Sequence, residues 1–306
     1  MFKLQTNHFL TGEELSKQEL LDLLDLATLV KTEKRQALLK DKTIGLVFDK
    51  PSLRTRVSFT VAIQELNGQV VELTSAQRKK EDPADTIRVL QGYLQGVMVR
   101  TFEHSNLDKM AAYSKIPIIN GLSDLHHPCQ VLADLQTLKE RFGNLQGLTL
   151  AYIGDGNNML HSLLLLLPFV GVNVHYACPE GYKPNPEILS TAKKRAEIGA
   201  AKIVEFNSPL EAVTGVNAIY TDVWTSMGFE SEEKLRLSHF DGYQVNSTLY
   251  KHADKDAVIM HCMPVNKDQE ITEEMIEHSN SVLFEQSENR LHAQKALMIG
   301  LFSKLV

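Results

Sequence analysis

Apolar residues along this chain fall into two alternating patterns. Short continuous runs at 44–48, 69–73, 96–100 and 117–120 read as buried strands. Between them, apolar positions recur every third or fourth residue, the period of a helix packed on one face. A first helix is predicted over 16–31, with Leu20, Leu23, Leu24 and Ala27 on one face and Thr11 or Ser16 as caps. Further helices are predicted over 57–66, 84–93 and 106–114. A long helix over 127–142 ends at Gly143-Asn144, glycine being favoured just past a helix end. The alternation then repeats, with strands at 148–153, 173–177, 202–206, 218–222 and 258–260 and helices at 158–170, 186–198 and from 288 to about 305.

Strands alternating with helices at this spacing predict α/β architecture with mostly parallel sheets covered on both faces. The expected arrangement is two open α/β domains facing a cleft, over 1–140 and 141–287. The helix at 127–142 bridges them, and the last helix (288–306) packs back onto the first. Ligands are expected at the carboxyl ends of the strands.

Composition narrows the function. The chain has 306 residues, 43% hydrophobic and 23% charged, which suits an ordinary globular protein of two domains. A formal net charge of −6 argues against nucleic-acid binding but permits a small basic pocket. Three scattered cysteines, Cys129, Cys178 and Cys262, give neither a disulfide framework nor zinc-ligand spacing, so a reducing, cytoplasmic setting is expected. Residues 1–5 lack the apolar run of a signal peptide, and the most apolar run, 163–170, is too short to span a bilayer, so no membrane role is expected.

Polar clusters fall where the predicted strands end. The first strand runs through Pro51 into Ser52-Leu53-Arg54-Thr55-Arg56 ahead of a helix. Backbone N–H groups, hydroxyls and guanidinium charge at a helix start suit a phosphate-like anion. Arg100-Thr101-Phe102-Glu103-His104 follows another strand, and His127-Pro128-Cys129-Gln130 opens the bridging helix. Asp222 and Cys262 close two strands of the second half. Arg56 reads as structural, as do Cys129 and Cys178. Gly154-Asp155-Gly156 is a fragment of a dinucleotide loop, but Met159 stands where its third glycine belongs.

These motifs, in this order from Phe48 to Ala296, resemble the aspartate/ornithine carbamoyltransferase family. The ornithine-type marks are Gly154-Asp155-Gly156-Asn157-Asn158, Asp222-Val223-Trp224-Thr225-Ser226-Met227-Gly228, His261-Cys262-Met263-Pro264 and Glu288-Asn289-Arg290. The resemblance implies carbamoyl transfer from carbamoyl phosphate to the δ-amine of L-ornithine, without metal or organic cofactor. It implies carbamoyl phosphate held by Ser52, Leu53, Arg54, Thr55, Arg100, His127, Gln130, Cys262, Met263 and Arg290. Asn158, Asp222, Ser226 and Met227 would take ornithine, and Arg100, His127, Cys262 and Asp222 would carry catalysis. It further implies a homotrimer, or an assembly of trimers, in which the 75–82 loop reaches a neighbouring subunit. Gln77 is the first choice there, with Lys79 or Lys80 as alternatives. A flap is expected from 226 onward, closing over the acceptor.

Other readings are a carbamoyltransferase for a different amine, a noncatalytic binding protein of the same fold, and a dehydrogenase. Arg100, His127 and Cys262 argue against the second, and the broken glycine pattern against the third. Aspartate as acceptor would want arginines where Asp222 and Ser226 stand. Two positions depart from the family pattern: Leu53 replaces the usual threonine and Met263 the usual leucine. If the backbone at position 53 is what meets the phosphate, Leu53→Thr changes carbamoyl phosphate affinity only modestly in calorimetry. A large gain would mean that the cradle is impaired.

Overall fold

The computed structural model describes residues 2–32, 37–75, 81–225 and 230–303. The chain divides into two compact units, Met1–Gln136 with Glu288–Val306, and Thr137–Ser287. Both are α/β, and each is built on a purely parallel sheet.

In the first unit, α1 (Lys17–Thr32) buries Leu20, Leu23, Leu24, Ala27 and Val30. It is followed by β1 (Thr43–Phe48), α2 (Leu53–Glu65), β2 (Gln69–Thr74), α3 (Pro83–Leu90), β3 (Gly96–Arg100), α4 (His104–Tyr113), β4 (Ile118–Leu122) and α5 (Pro128–Phe142). The strand order is β2-β1-β3-β4. Every residue of β3 is buried, as expected of a strand covered on both faces. Val47, Val97, Val99 and Ile118 pack with Ile87, Leu107 and Met110 of the covering helices.

The helix α2 begins at Leu53, four residues before the apolar period predicts. Ser52 sets that start. Its backbone is extended (φ −159°, ψ 122°), and its hydroxyl accepts the Thr55 N–H at 3.2 Å, an N-cap. The first turn carries arginine and threonine, so no apolar spacing announces it. The anion motif is therefore the first turn of the helix itself.

The second unit runs through β5 (Thr149–Ile153), α6 (Asn158–Leu166), β6 (Asn173–Ala177), α7 (Pro186–Gly199), β7 (Ile203–Glu205), α8 (Pro209–Val213), β8 (Ala218–Thr221), α9 (Glu233–His239), α10 (Ser247–Tyr250), β9 (Val258–His261) and α11 (Glu273–Ile276). Its strand order is β7-β6-β5-β8-β9. Ala151, Ile153, Ile219 and Ile259 of the strands pack with Val213, Leu249 and Met275. The apolar run of α6 stops at Leu166. Pro168 has no N–H with which to continue it and opens a separate 3-10 turn, Pro168–Val170.

The last helix, α12 (Leu283–Phe302), starts five residues before the predicted 288. Its C-terminal part belongs to the first unit. There the Gly300 carbonyl accepts from Leu4 N–H at 3.0 Å, and Phe302 packs so closely on β3 that a Cβ at Gly96 would lie 2.3 Å from its ring.

Each sheet has one topological switch point, where successive connections leave in opposite directions. In the first sheet it lies between β1 and β3, in the second between β5 and β8. The turn leaving β5 depends on Gly156. A Cβ there would sit 2.4 Å from the Lys183 carbonyl carbon and the Pro184 nitrogen, which are backbone atoms and cannot swing aside. Gly156→Ala is accordingly expected to destabilise the protein by about 1–3 kcal/mol, read as a lower urea midpoint at unchanged m-value.

Candidate active site

In the first unit, basic and hydroxyl side chains gather at the switch point. Arg100 ends β3, and the register between β3 and β4 shifts beside it: Val99 pairs with Asn120 but Arg100 with Leu122. Such an irregularity re-aims a side chain at a sheet edge. Asp49 N–H donates to the Arg100 carbonyl at 2.8 Å, tying the exit of β1 to that of β3.

Two guanidinium groups converge on one hydroxyl. Thr55 Oγ1 accepts from Arg100 at 3.5 Å and from Arg290, on α12, at 3.2 Å. Arg290 also donates to Gln130 Oε1 at 2.8 Å, and Gln130 Nε2 donates to Asp134 Oδ1 at 2.9 Å. Arg290 is only 2% exposed, and Thr55, Arg100, His127 and Gln130 are buried too. A lysine that sequence reading passed over joins this edge: Lys50 is buried, its ammonium 4.3 Å above the centre of the Phe102 ring. In sequence it sits between Asp49 and Pro51, and no local pattern marks it as buried.

His127 precedes α5. Burial holds its imidazole well below the usual histidine range, and the positive charges of Arg290, Arg100 and Arg54 push the same way. It is therefore neutral at pH 7, with one N–H to donate. Its loop is pinned from behind. His104 Nδ1 lies 2.8 Å from Ser123 Oγ, which accepts the His126 N–H at 3.2 Å, while Asp124 Oδ1 accepts the His104 N–H at 2.7 Å.

Arg56 points elsewhere and pairs with Glu72 at 2.7 Å. The Leu53 side chain is 72% exposed. Cys129 donates to the Asn120 carbonyl at 3.3 Å, and burial pushes its thiol up to about 12, which makes it inert.

In the second unit the switch point gathers acceptors instead. Asp222, just past β8, is 6% exposed. Its Oδ1 accepts from its neighbour Val223 N–H at 2.8 Å and from the Cys262 thiol at 3.0 Å. Its Oδ2 accepts from Asn157 Nδ2 at 2.8 Å. Asn157 is also the N-cap of α6, its Oδ1 accepting from the Met159 and Leu160 N–H groups. Its neighbour Asn158 is the first residue of that helix and half-buried. In the sequence Asn157 stands only as part of the 154–158 motif, and neither its cap nor its bond to Asp222 is legible there.

Cys262 and Met263 lie on the turn after β9. His261 Nδ1 accepts the Met263 N–H at 2.8 Å, which puts the ring proton on Nε2, 3.1 Å from Glu270. Donor atoms of Asp222, His261 and Cys262 lie within 4.8 Å of one another. Both nitrogens of His261 are already engaged, so the histidine serves to hold the turn. Met263 has φ +55°, a left-handed conformation that the turn imposes. The expected site residues Gln77, Ser226 and Met227 lie outside the described residues.

The His127 environment has a measurable consequence. Its folded pKa is depressed below its unfolded value of 6.5, so the unfolded chain takes up this proton first on acidification. The stability it contributes is complete above 6.5 and is lost as pH falls toward the folded pKa. In His127→Gln, the fall in unfolding free energy between pH 6.5 and 5 is expected to be shallower by up to about 1.4 kcal/mol per pH unit, the slope of one proton. Urea titrations across that range check it.

Comparison with known proteins covers the same two halves. Residues 7–140 match the model of the aspartate/ornithine carbamoyltransferase carbamoyl-P binding domain, and residues 146–301 that of the Asp/Orn binding domain. An ornithine carbamoyltransferase of Oceanobacillus iheyensis is 46% identical over 98% of this chain and 96% of its own length. That of Bacillus cereus is 45% identical over 99% and 96%. The structure of the ornithine carbamoyltransferase from Pyrococcus furiosus superposes with a TM-score of 0.95 at 39% identity, covering 99% of each chain. With both domain models matched in order and relatives aligned over nearly its full length, the chain belongs to the aspartate/ornithine carbamoyltransferase family.

Proposed function

We propose that this chain transfers the carbamoyl group of carbamoyl phosphate to the δ-amine of L-ornithine, giving L-citrulline and phosphate, in arginine metabolism. The observation that carries the reading is the convergence of Arg100 and Arg290 on Thr55 Oγ1 in the first turn of α2, beside a neutral His127. A small dianion with a carbonyl to polarise fits that chemistry. Ser52, Arg54, Thr55 and the backbone N–H of Leu53 hold the phosphate, each charge-assisted bond worth about 1.5–3 kcal/mol. Arg100 bridges phosphate and carbonyl. His127 donates its single N–H to the carbonyl oxygen as negative charge develops there, which is oxyanion stabilisation rather than covalent catalysis. Gln130 meets the carbamoyl nitrogen, and Arg290 with the backbone carbonyls of Cys262 and Met263 completes the set.

The acceptor belongs to Asp222. A buried carboxylate oriented by Asn157 and Cys262 suits the α-ammonium of ornithine, together with the Ser226 hydroxyl and Met227. Asn158 takes the α-carboxylate. The δ-amine has an ordinary pKa of about 10.4 and attacks only when neutral. Its nitrogen bonds the carbonyl carbon as the carbon–oxygen bond to phosphate breaks. The proton it sheds leaves with the phosphate, while Asp222 and Cys262 orient the amine.

An N-acetylornithine transcarbamylase shares the fold with a TM-score of 0.89, at 27% identity. Acetylation removes the α-ammonium charge, so the Asp222 carboxylate favours free ornithine. The proposal extends to a cytoplasmic homotrimer, or an assembly of trimers, with Gln77 serving a neighbouring site. Exposed Leu53, Val57 and Val71 on the first unit support a subunit contact, and the free cysteines Cys129, Cys178 and Cys262 support a reducing compartment.

The test is citrulline formation by the purified protein, with ornithine, N-acetylornithine, putrescine and aspartate compared as acceptors. Ornithine is expected to give the highest kcat/KM, and no citrulline at saturating substrates would sink the proposal. Asp222→Asn is expected to raise the KM for ornithine by about 10–100-fold, the worth of one charge-assisted bond, with carbamoyl phosphate binding unaltered.

A further inference from the structure

Three loops leave the second sheet at its acceptor edge, and one side chain that the proposed chemistry does not use touches all of them. Arg236, on α9, is 6% exposed. Its Nη1 donates to Asp155 Oδ2 at 2.7 Å, in the turn after β5, and to the Trp224 carbonyl at 3.0 Å, two residues past Asp222. Its Nε donates to Glu232 at 3.1 Å. Its guanidinium lies 4.9 Å from the centre of the Tyr182 ring, in the loop after β6.

The contacts with Asp155, Tyr182 and Trp224 lead to the loops that carry the acceptor groups. The Asp155 carbonyl accepts the Asn157 N–H at 2.8 Å, and Asn157 in turn donates to Asp222. The Tyr182 carbonyl accepts the Gly156 N–H at 2.7 Å, so the second loop braces the first. The Trp224 ring stacks on Phe240 at 5.5 Å, and Phe240 also meets Tyr182 edge-on at 4.9 Å. A planar fork can bond a carboxylate and a carbonyl in its plane while stacking on an aromatic face. Lysine cannot do all three.

We propose that Arg236, through Asp155 and the Trp224 carbonyl, is a positioning residue for acceptor recognition, fixing the turn that carries Asn157 and Asn158 against the strand exit that carries Asp222, at the spacing that an α-amino acid requires. This rests on the reading that Asp222 binds the acceptor. Two bonds at fixed angles set the distance between the turn carrying Asn157 and the strand exit carrying Asp222. Loosening them leaves both side chains present but imprecisely spaced, which costs acceptor affinity.

Steady-state kinetics of the full-length protein test it. Arg236→Gln is expected to raise the KM for ornithine at least about tenfold, while kcat falls by less and the KM for carbamoyl phosphate is unchanged. Arg236→Lys restores part of the loss, because it keeps the charge without the fork. Asp155→Asn raises the ornithine KM in the same direction. The Asp155→Asn/Arg236→Gln double variant is no worse than the poorer single one, since one linkage is lost either way. A merely structural strut would lower the melting temperature and leave the ornithine KM of the folded enzyme unaltered. That outcome overturns the inference, as does an equal rise in both KM values. If Arg236→Gln does not fold, Arg236→Lys and Asp155→Asn carry the same comparison. Asp222→Asn in the same assay separates the two claims: if it too leaves the ornithine KM unchanged, the acceptor reading has failed, whereas an effect there without one at Arg236 counts against Arg236 alone.

Discussion

Positive charge concentrated at one buried helix start is the constraint from which the first unit follows. Arg100 and Arg290 would repel each other if they were held close only by packing. They share the Thr55 hydroxyl instead, and Arg290 is anchored further through Gln130 and Asp134. The N-terminus of α2 adds its own partial positive charge. Burial first, and the same positive charges second, keep His127 neutral. An imidazolium there would meet three arginines in a desolvated place, whereas a neutral imidazole avoids both penalties and keeps one N–H to donate. A cluster of this kind attracts a dianion and offers an uncharged donor to its carbonyl.

The second unit solves the opposite problem, that of holding a buried carboxylate ready for a cation. Asp222 is surrounded by weak donors, a backbone N–H, an amide and a thiol, rather than by an arginine that would neutralise it. The arginine of this edge is spent on Asp155. Burial raises the Asp155 carboxyl to about 6 even though the Arg236 guanidinium pulls it down, with the Asp222 and Glu232 charges adding to the rise. One carboxylate is thus paired permanently and its neighbour is left to a ligand.

Parallel-sheet topology explains why these groups lie where they do. In both sheets the chain returns to the middle and departs the other way, between β1 and β3 and between β5 and β8. Adjacent strand exits there diverge and leave backbone and side chains open to a ligand. Ser52 and Arg100 come from one such pair of exits, Asn157 and Asp222 from the other.

The amino-acid sequence by itself determined the alternation of strands and helices, because fully buried parallel strands read as continuous apolar runs and their covering helices as periodic ones. It also determined the chemistry of the motifs and their order, and with them the family. What it left open was set by contacts between residues far apart in the chain. The start of α2 at Leu53 came from a hydroxyl cap where no apolar period exists. Arg290 reaches Thr55 across 235 positions, and Asn157 reaches Asp222 across 65, distances over which no local spacing carries information. Nothing in the local sequence sets Arg236 apart, and only burial against Asp155, Trp224 and Tyr182 distinguishes it. Propensity and periodicity act between near neighbours, so they specify elements. Which polar side chains meet at the ends of those elements is decided by strand order, and strand order exists only once the sheet has formed.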